Sequence, residues 1–132
     1  MAETRFLTIE QVLAIHDDQI ERYGGGHGIR SLPLLESAVF RPQTTFGGED
    51  LYETIFDKAA ALIHSLIMNH AFSDGNKRTG TVSGIIFLEI NGYKIEVGKG
   101  IIYKTAVAIE QEKWSIGKIS SWLRSRSKKI NR

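Results

Sequence analysis

The chain of 132 residues contains no cysteine and only two prolines, and it has neither a long apolar run nor a large net charge. Without cysteine it forms neither a disulfide nor a thiolate zinc site, which is typical of a protein in a reducing cytosol. Its apolar runs, such as residues 59–68, are shorter than the ~20 residues of a membrane span. Residues 1–10 carry no signal region, and a formal charge of +2 indicates neither disorder nor a charged polymer as partner. We therefore expect a soluble cytoplasmic protein without membrane contact.

What the chain does contain is a succession of helical hydrophobic periods, in a length that suits a single domain over residues 1–132. A capping box at residues 8–11 opens the first helix. The glycine cluster at residues 24–28 ends it, because no strand precedes this cluster to make it a phosphate-binding loop. Further helices are predicted after Ser31 and over residues 52–69, 77–90, 100–113 and 115–126, with extended segments at 41–50 and 93–97. The predicted fold class is all-α, with about six helices and one small β element.

One segment between two predicted helices combines residue types that no structural role requires together: His70-Ala71-Phe72-Ser73-Asp74-Gly75-Asn76-Lys77-Arg78-Thr79. Gly75 permits a positive φ and Asn76 is a good N-cap, so the segment is predicted to be a tight turn leading into a helix. The first amides of a helix lack internal partners and its dipole favours negative charge, which predicts an anion site. Arg78 adds a bidentate grip on phosphate. Lys77 and Arg78 are unfavourable at this helix end unless an anion lies nearby.

Two further residues of the segment indicate a reaction. Asp74 would repel a phosphate unless a divalent cation lay between them, and Mg²⁺ held by one carboxylate and nucleotide phosphates is the usual arrangement. A neutral His70 would take a proton from an attacking hydroxyl, typically a ~10²–10⁴-fold contribution to rate. The residues thus predict transfer of a phosphate-containing group from a nucleotide to a hydroxyl. Taken singly, each feature also suits two ordinary helices joined by a loop; their combination favours the functional interpretation.

The segment matches the H-x-F-x-D-x-N-K-R signature of death-on-curing (Doc) toxins, a branch of the Fic superfamily, and the chain resembles that family over roughly residues 8–95. The resemblance implies a compact Fic-like helical bundle in which residues 41–50 form a small flap beside the active site. It also implies the role of each residue in the segment: His70 as the base, Asp74 as the Mg²⁺ ligand, Gly75, Asn76 and Lys77 as the anion-binding turn, Arg78 as a phosphate clamp, and Phe72 as the anchor of the loop in the core.

Two positions bear on which group is transferred. Fic enzymes that transfer AMP have a glycine where Lys77 stands and a second arginine where Thr81 stands. A lysine crowds the groove that holds the inner phosphates, and in Doc-like members the nucleotide lies reversed with its γ-phosphate toward the hydroxyl. The resemblance therefore implies a protein kinase that uses ATP and Mg²⁺ on a threonine or serine and blocks translation, with elongation factor Tu as the best-known target. Gly75 is the Fic-like choice and Ala71 replaces a Fic proline, so AMP transfer stays an alternative.

The resemblance also implies a partner. Thr45 and Glu49 have the Ser/Thr-x-x-x-Glu spacing of self-inhibited Fic enzymes, but Gly47 and Gly48 argue against the helix on which that motif lies. We therefore expect no internal inhibitor. In the family the inhibitor is an antitoxin of a type II toxin–antitoxin system, with a segment that folds on binding the toxin.

Two rival hypotheses come from other classes. The C-terminal tail is basic and two tryptophans are available for base stacking, which would suit a nucleic-acid-binding module: Arg124, Arg126, Lys128, Lys129, Arg132, Trp114 and Trp122. The tail is short and Trp122 falls on an apolar stripe, so a solvated helix end is favoured and no direct nucleic-acid binding is expected. A non-catalytic member that only binds partners is the other rival, and the complete signature argues against it.

The remaining histidines show no functional spacing. His64 lies six residues before His70, which is not the i, i+4 spacing of two ligands on one helix face. It is predicted to be a packed helix histidine. His16 and His27 have no partner nearby in sequence.

Overall fold

The computed structural model describes residues 3–131, most of which lie in six α-helices. The helices are α1 (Ile9–Tyr23), α2 (Leu32–Phe40), α3 (Ile55–Met68), α4 (Asn76–Ile90), α5 (Ile101–Gln111) and α6 (Ile116–Ser125). A 3₁₀ turn, Arg41–Gln43, follows α2. Strands β1 (Thr45–Phe46) and β2 (Glu49–Asp50) form one antiparallel pair, and β3 (Tyr93–Ile95) and β4 (Ser127–Lys129) form another. The predicted all-α class with about six helices and a small β flap is confirmed.

Local capping explains where several helices begin and end. Thr8 and Gln11 form the predicted capping box at α1, and Gly24 ends that helix with φ +89°. Helix α3 begins at Ile55 rather than at residue 52, so the predicted start was three residues early. The reason is a second capping box, in which Thr54 accepts from the Asp57 amide and Asp57 accepts from the Thr54 amide.

None of the helices in residues 3–131 combines the length and apolarity that crossing a membrane demands.

Helix α3 is the centre of the core. It packs against α2, α4 and α6, and it is buried along almost its whole length. Two glycines of α4 face it: a Cβ atom on Gly80 would lie 2.9 Å from the Ile67 side chain, and one on Gly84 would overlap Ile63. Only glycine therefore allows α3 and α4 to approach this closely. Because these two helices flank residues 69–75, their close packing sets the position of the connecting turn.

The C-terminal segment differs from the prediction. The chain beyond α6 is not a solvated helix end, because Ser127, Lys128 and Lys129 pair with Ile95, Lys94 and Tyr93 of β3. Ser-Lys-Lys has little strand propensity, so nothing local predicted β4. Trp122 is partly buried against the core, and the Arg126 guanidinium lies 4.6 Å from the centre of its ring. Arg132 lies outside the described residues.

Candidate active site

The backbone between α3 and α4 turns sharply at two residues with positive φ. His70 has φ +48° and Gly75 has φ +78°. A side chain at Gly75 would also be crowded, since a Cβ atom there would lie 3.1 Å from Ile20 Cδ1. A non-glycine residue in the left-handed region is uncommon and is often found at functional sites. The turn thus places His70 at its exposed entrance and Gly75 immediately before α4.

Asn76 does not cap α4, contrary to the prediction. It is the first helical residue, and the N-cap is Gly75 in the left-handed conformation. The Asn76 side chain is engaged elsewhere: its Oδ1 accepts from the Phe72 amide at 3.0 Å, and its Nδ2 donates to the Phe72 carbonyl at 2.9 Å. Both polar groups of the side chain are therefore used to close the turn across four residues. What Asn76 can offer a ligand is its backbone amide.

Phe72 and His16 form the inner side of the turn. Phe72 is 1% exposed, and its ring stacks on that of His16 with 3.7 Å between the ring centres. The buried His16 also donates from Nε2 to the carbonyl oxygen of Asp74 at 2.8 Å. Phe72 therefore lies where an anchor of the loop would lie. His16 was missed because its partners are 56 and 58 residues away in the chain.

A second segment, residues 28–31, supports the turn from outside. The Arg30 and Ser31 amides donate to the carbonyl of Ala71, at 2.8 and 3.0 Å. The Arg30 guanidinium donates to the carbonyls of His70 and Asn69, at 2.7 and 3.1 Å. Arg30 thereby satisfies carbonyls just beyond the C-terminal end of α3 and fixes the strained backbone of His70. Nothing local in the sequence indicated this contact.

On the α5 side of the turn, one carboxylate faces two of the predicted site residues. Glu110 Oε2 lies 3.3 Å from His70 Nε2, and Glu110 Oε1 accepts from Lys77 Nζ at 3.0 Å. The His70 side chain is 49% exposed and that of Glu110 is 26% exposed. Glu110 was not predicted from the sequence, because a glutamate near the end of an amphipathic helix is ordinarily explained as a solvent-facing residue.

On the α1 side, Asp74 and Arg78 contact the end of α1 and the glycine cluster. Asp74 Oδ2 accepts from the Gly26 amide at 2.8 Å. The Arg78 guanidinium donates to the carbonyls of Gln19 and Gly24, at 3.2 and 3.1 Å. Two of its five N–H groups are thus engaged. The predicted electrostatic cost of cations at the start of α4 is therefore already offset, by these carbonyls at Arg78 and by the Glu110 carboxylate at Lys77.

The glycine cluster is itself held by a histidine. His27 lies between two carboxylates of α1, with Nδ1 3.1 Å from Asp17 and Nε2 2.9 Å from Glu21. The hydrogen bond with Asp17 is the main cause that raises the pKa of His27 above 6.5; desolvation opposes it, and Glu21 adds to it. The prediction that His27 has no partner nearby was therefore wrong, since Glu21 and Asp17 lie six and ten residues back along the chain.

His64 fits the prediction of a packed histidine. It is half-buried in α3, and its Nδ1 atom has no hydrogen-bond partner in the described structure. Burial, with a further contribution from the charge of Arg41, lowers its pKa below 6.5.

The oxygen ligands that the turn offers would hold Mg²⁺ only together with the phosphates of a nucleotide. Within residues 3–131 no group of three or more histidine, aspartate or glutamate side chains is arranged to hold a metal ion. One carboxylate, Asp74, has an oxygen beyond the one that Gly26 occupies, and phosphate oxygens would complete the shell of a magnesium ion. The first backbone bond into α4 runs from the Thr79 amide to Gly75, so the amides of residues 76–78 precede the helical ladder and are available to an anion.

A groove lies next to Arg78. It has a volume of about 790 Å³, and its lining includes Gln19, Tyr23, Thr81, Lys99 and Tyr103. This volume is in the range of small-molecule sites. Arg78 is the residue of the turn that lines this groove, so a ligand held there would reach the guanidinium.

Comparisons with known proteins identify the class of this site. The chain matches the model of the Fic/DOC family over residues 6–88. It is 49% identical over 73 residues to Toxin Doc of Mycolicibacterium smegmatis, covering 55% of this chain and 56% of that protein. It is 32% identical over 91 residues to Protein kinase doc of Escherichia phage P1, covering 69% of this chain and 71% of that protein. The chain therefore belongs to the Fic/DOC family, in its Doc branch. The match to the mycobacterial protein spans little more than half of that protein's length.

Proposed function

We propose that this protein is a Doc-like toxin that transfers the γ-phosphate of ATP to a serine or threonine hydroxyl of a target protein. The observation that carries the proposal is the turn at residues 70–78, which gathers an imidazole, a carboxylate and unpaired helix-end amides. One of the two relatives is named as a toxin and the other as a protein kinase. Both properties are extended to this chain as part of the proposal.

In the proposed reaction, His70 accepts the proton of the target hydroxyl as that oxygen bonds to the γ-phosphorus. The bond from the γ-phosphorus to the bridging oxygen breaks, and ADP leaves with the electron pair. The amides of residues 76–78, with Lys77 and the free N–H groups of Arg78, bind phosphate oxygens. Mg²⁺, held by Asp74 and the phosphates, supplies the positive charge between them when bound. Phe72 anchors the turn that positions these groups.

The positions that distinguish the two transfer reactions favour phosphoryl transfer. Thr81 is buried and its hydroxyl donates to the Lys77 carbonyl at 2.9 Å, so this position supplies no second cation to a phosphate. Lys77 adds a long side chain where Fic enzymes that transfer AMP have glycine. Transfer of AMP to a protein hydroxyl is the second candidate, since Gly75 is the choice typical of those enzymes.

The proposed target is elongation factor Tu, and the proposed inhibitor is an antitoxin whose segment folds onto this protein. The decisive assay incubates the purified protein with Mg²⁺ and elongation factor Tu, in parallel with ATP labelled at the γ- or the α-phosphate. We expect label from the γ position alone, and none with His70→Ala. Label from the α position would establish AMP transfer instead. Label from neither position would contradict elongation factor Tu as the target.

Toxicity has a separate test. Expression of the wild-type chain in a bacterium is expected to arrest growth and protein synthesis, while expression of His70→Ala is not. Co-expression of the gene beside it is expected to restore growth if that gene encodes the antitoxin. Equal toxicity of the wild type and His70→Ala would show that growth arrest does not depend on the proposed transfer.

A further inference from the structure

We propose that Glu110 is a positioning residue for His70, and that it makes Nδ1 the ring atom that receives the proton. The inference rests on the proposed function for the transfer step, but the contact itself does not. Glu110 lies on α5, 40 residues from His70 in sequence, and its Oε2 atom is 3.3 Å from His70 Nε2. No other acidic side chain within residues 3–131 forms an ion pair with this histidine.

The chemistry of the two groups selects the tautomer. An ionised carboxylate has only acceptor lone pairs, so a bare Nε2 lone pair at 3.3 Å would face repulsion. The neutral His70 ring therefore carries its hydrogen on Nε2, which leaves the lone pair on Nδ1. When Nδ1 takes the proton from the target hydroxyl, the ring becomes a cation beside a carboxylate and is stabilised by it. The same division of labour orients the histidine in hydrolases that use a carboxylate and a histidine.

Two neighbours keep Glu110 and His70 in place. Lys77 donates to the other oxygen of Glu110 at 3.0 Å, which orients the carboxylate and offsets its charge near the phosphate site. Arg30 holds the carbonyl of His70 at 2.7 Å and so fixes the backbone from which the ring projects. Arg30 thus holds the backbone of His70, and Glu110 orients its ring at Nε2.

Glu110 has a second possible role, which the experiment must separate from the first. Glu110 also pairs with Lys77. If its main effect passes through that lysine, Glu110 influences phosphate binding rather than the protonation of His70. Loss of an effect through His70 lowers kcat, whereas loss of an effect through Lys77 changes the KM for ATP. Glu112 supplies a matched control, because it is a glutamate two residues further on that accepts from Trp114 Nε1 at 3.1 Å and forms no hydrogen bond or ion pair with residues 70–78 of the described structure.

The kinetic test compares Glu110→Ala, Glu110→Gln and Glu112→Gln in the transfer assay. We expect Glu110→Ala to lower kcat about five- to tenfold, a moderate factor because the pair is partly exposed and water screens it. Glu110→Gln should lose less, because an amide oxygen remains available to accept from Nε2–H, and Glu112→Gln should stay within about twofold of wild type. When Lys77 is already replaced by methionine, adding Glu110→Ala should lower kcat by about the same factor as it does in the wild-type chain. A change confined to KM, or an effect that disappears in that background, would overturn the proposal.

A spectroscopic test needs neither ATP nor a target. In protein labelled with ¹⁵N-histidine, at alkaline pH, the two ring nitrogens of wild-type His70 should have the well-separated shifts of a single tautomer protonated at Nε2. In Glu110→Ala these shifts should move toward each other as both tautomers become populated. A wild-type ring protonated at Nδ1, or shifts that the substitution leaves unchanged, would overturn the assignment. If the protein transferred nothing to any target, this result alone would decide the role of Glu110, while the proposed function would fail separately.

Discussion

The inner and outer faces of the turn at residues 70–78 are built from different kinds of residue. The inner face consists of Phe72, which is buried on His16, and of Asn76, whose side chain is spent on the Phe72 backbone. The outer face carries His70, Asp74 and other polar side chains that are at least partly exposed. Residues that give the turn its shape thus alternate along the chain with residues that are free to meet a ligand. Substitutions on the outer face should therefore change the chemistry with little effect on stability, whereas substitutions on the inner face should act first on stability.

The largest expected effect belongs to the outer face. His70→Ala should lower the rate of transfer by about 10²–10⁴-fold, because it removes the proposed base. Its free energy of unfolding should stay within about 0.5–1 kcal/mol of wild type, since the side chain is about half exposed. Labelling with γ-labelled ATP and urea denaturation of the same preparation measure the two effects. An unfolded His70→Ala variant, by circular dichroism, would contradict the division between the faces.

The next effect belongs to the inner face. Phe72→Ala should lower the free energy of unfolding by about 3–5 kcal/mol, because it removes a buried ring and leaves a cavity against His16. Phe46→Ala is the matched control, because Phe46 lies in β1 and is 83% exposed, so its loss should cost less than about 0.5 kcal/mol. Chemical denaturation of both variants gives the comparison. Equal losses would show that burial of Phe72 does not stabilise the turn.

Asn76 tests whether hydrogen bonding within the turn matters apart from apolar burial. Asn76→Ala leaves the amide and carbonyl of Phe72 without these partners, which should destabilise the protein by about 1–3 kcal/mol. Ser73→Ala, in the same turn but exposed, should change stability by less than about 0.5 kcal/mol. Transfer should also slow in Asn76→Ala, because the amides of α4 lose their fixed position. A stable Asn76→Ala variant with full activity would disprove this role.

The smallest effect concerns the exposed support of Asp74 by the glycine cluster. The folded-state pKa of His27 is raised above 6.5, chiefly by its hydrogen bond with Asp17, so protonated His27 stabilises the folded state. This stabilisation is fully present below pH 6.5 and is lost as the pH rises through the folded-state pKa. At about pH 5.5 the melting temperature of the wild type should therefore be slightly higher than that of His27→Gln, and this difference should vanish at alkaline pH. A difference that grows with pH would have the wrong sign for this mechanism.

The prediction from sequence succeeded where the signal was local. Thr8 and Gln11 lie within one turn of each other, and so their capping box could be read directly, as could Gly24 at the end of α1. The same local reasoning failed at Asn76, because a good N-cap residue also bonds well to other backbone groups. Here Phe72 supplies those groups and Gly75 takes the capping position. A competing local contact, to a residue only four positions away, thus overrode the N-cap propensity of asparagine.

The amino-acid sequence by itself determined which residues form the turn, the left-handed backbone that Gly75 permits and the order of polar groups around α4. Those features depend on side-chain type and on spacings of a few residues, which local sterics and helix geometry govern. Only the tertiary structure decided that Glu110 faces His70, that His16 supports Asp74, that Arg30 holds the His70 carbonyl and that β4 pairs with β3. Each of these contacts joins residues more than 30 positions apart, and their meeting depends on how α3 packs against the surrounding helices rather than on any local preference.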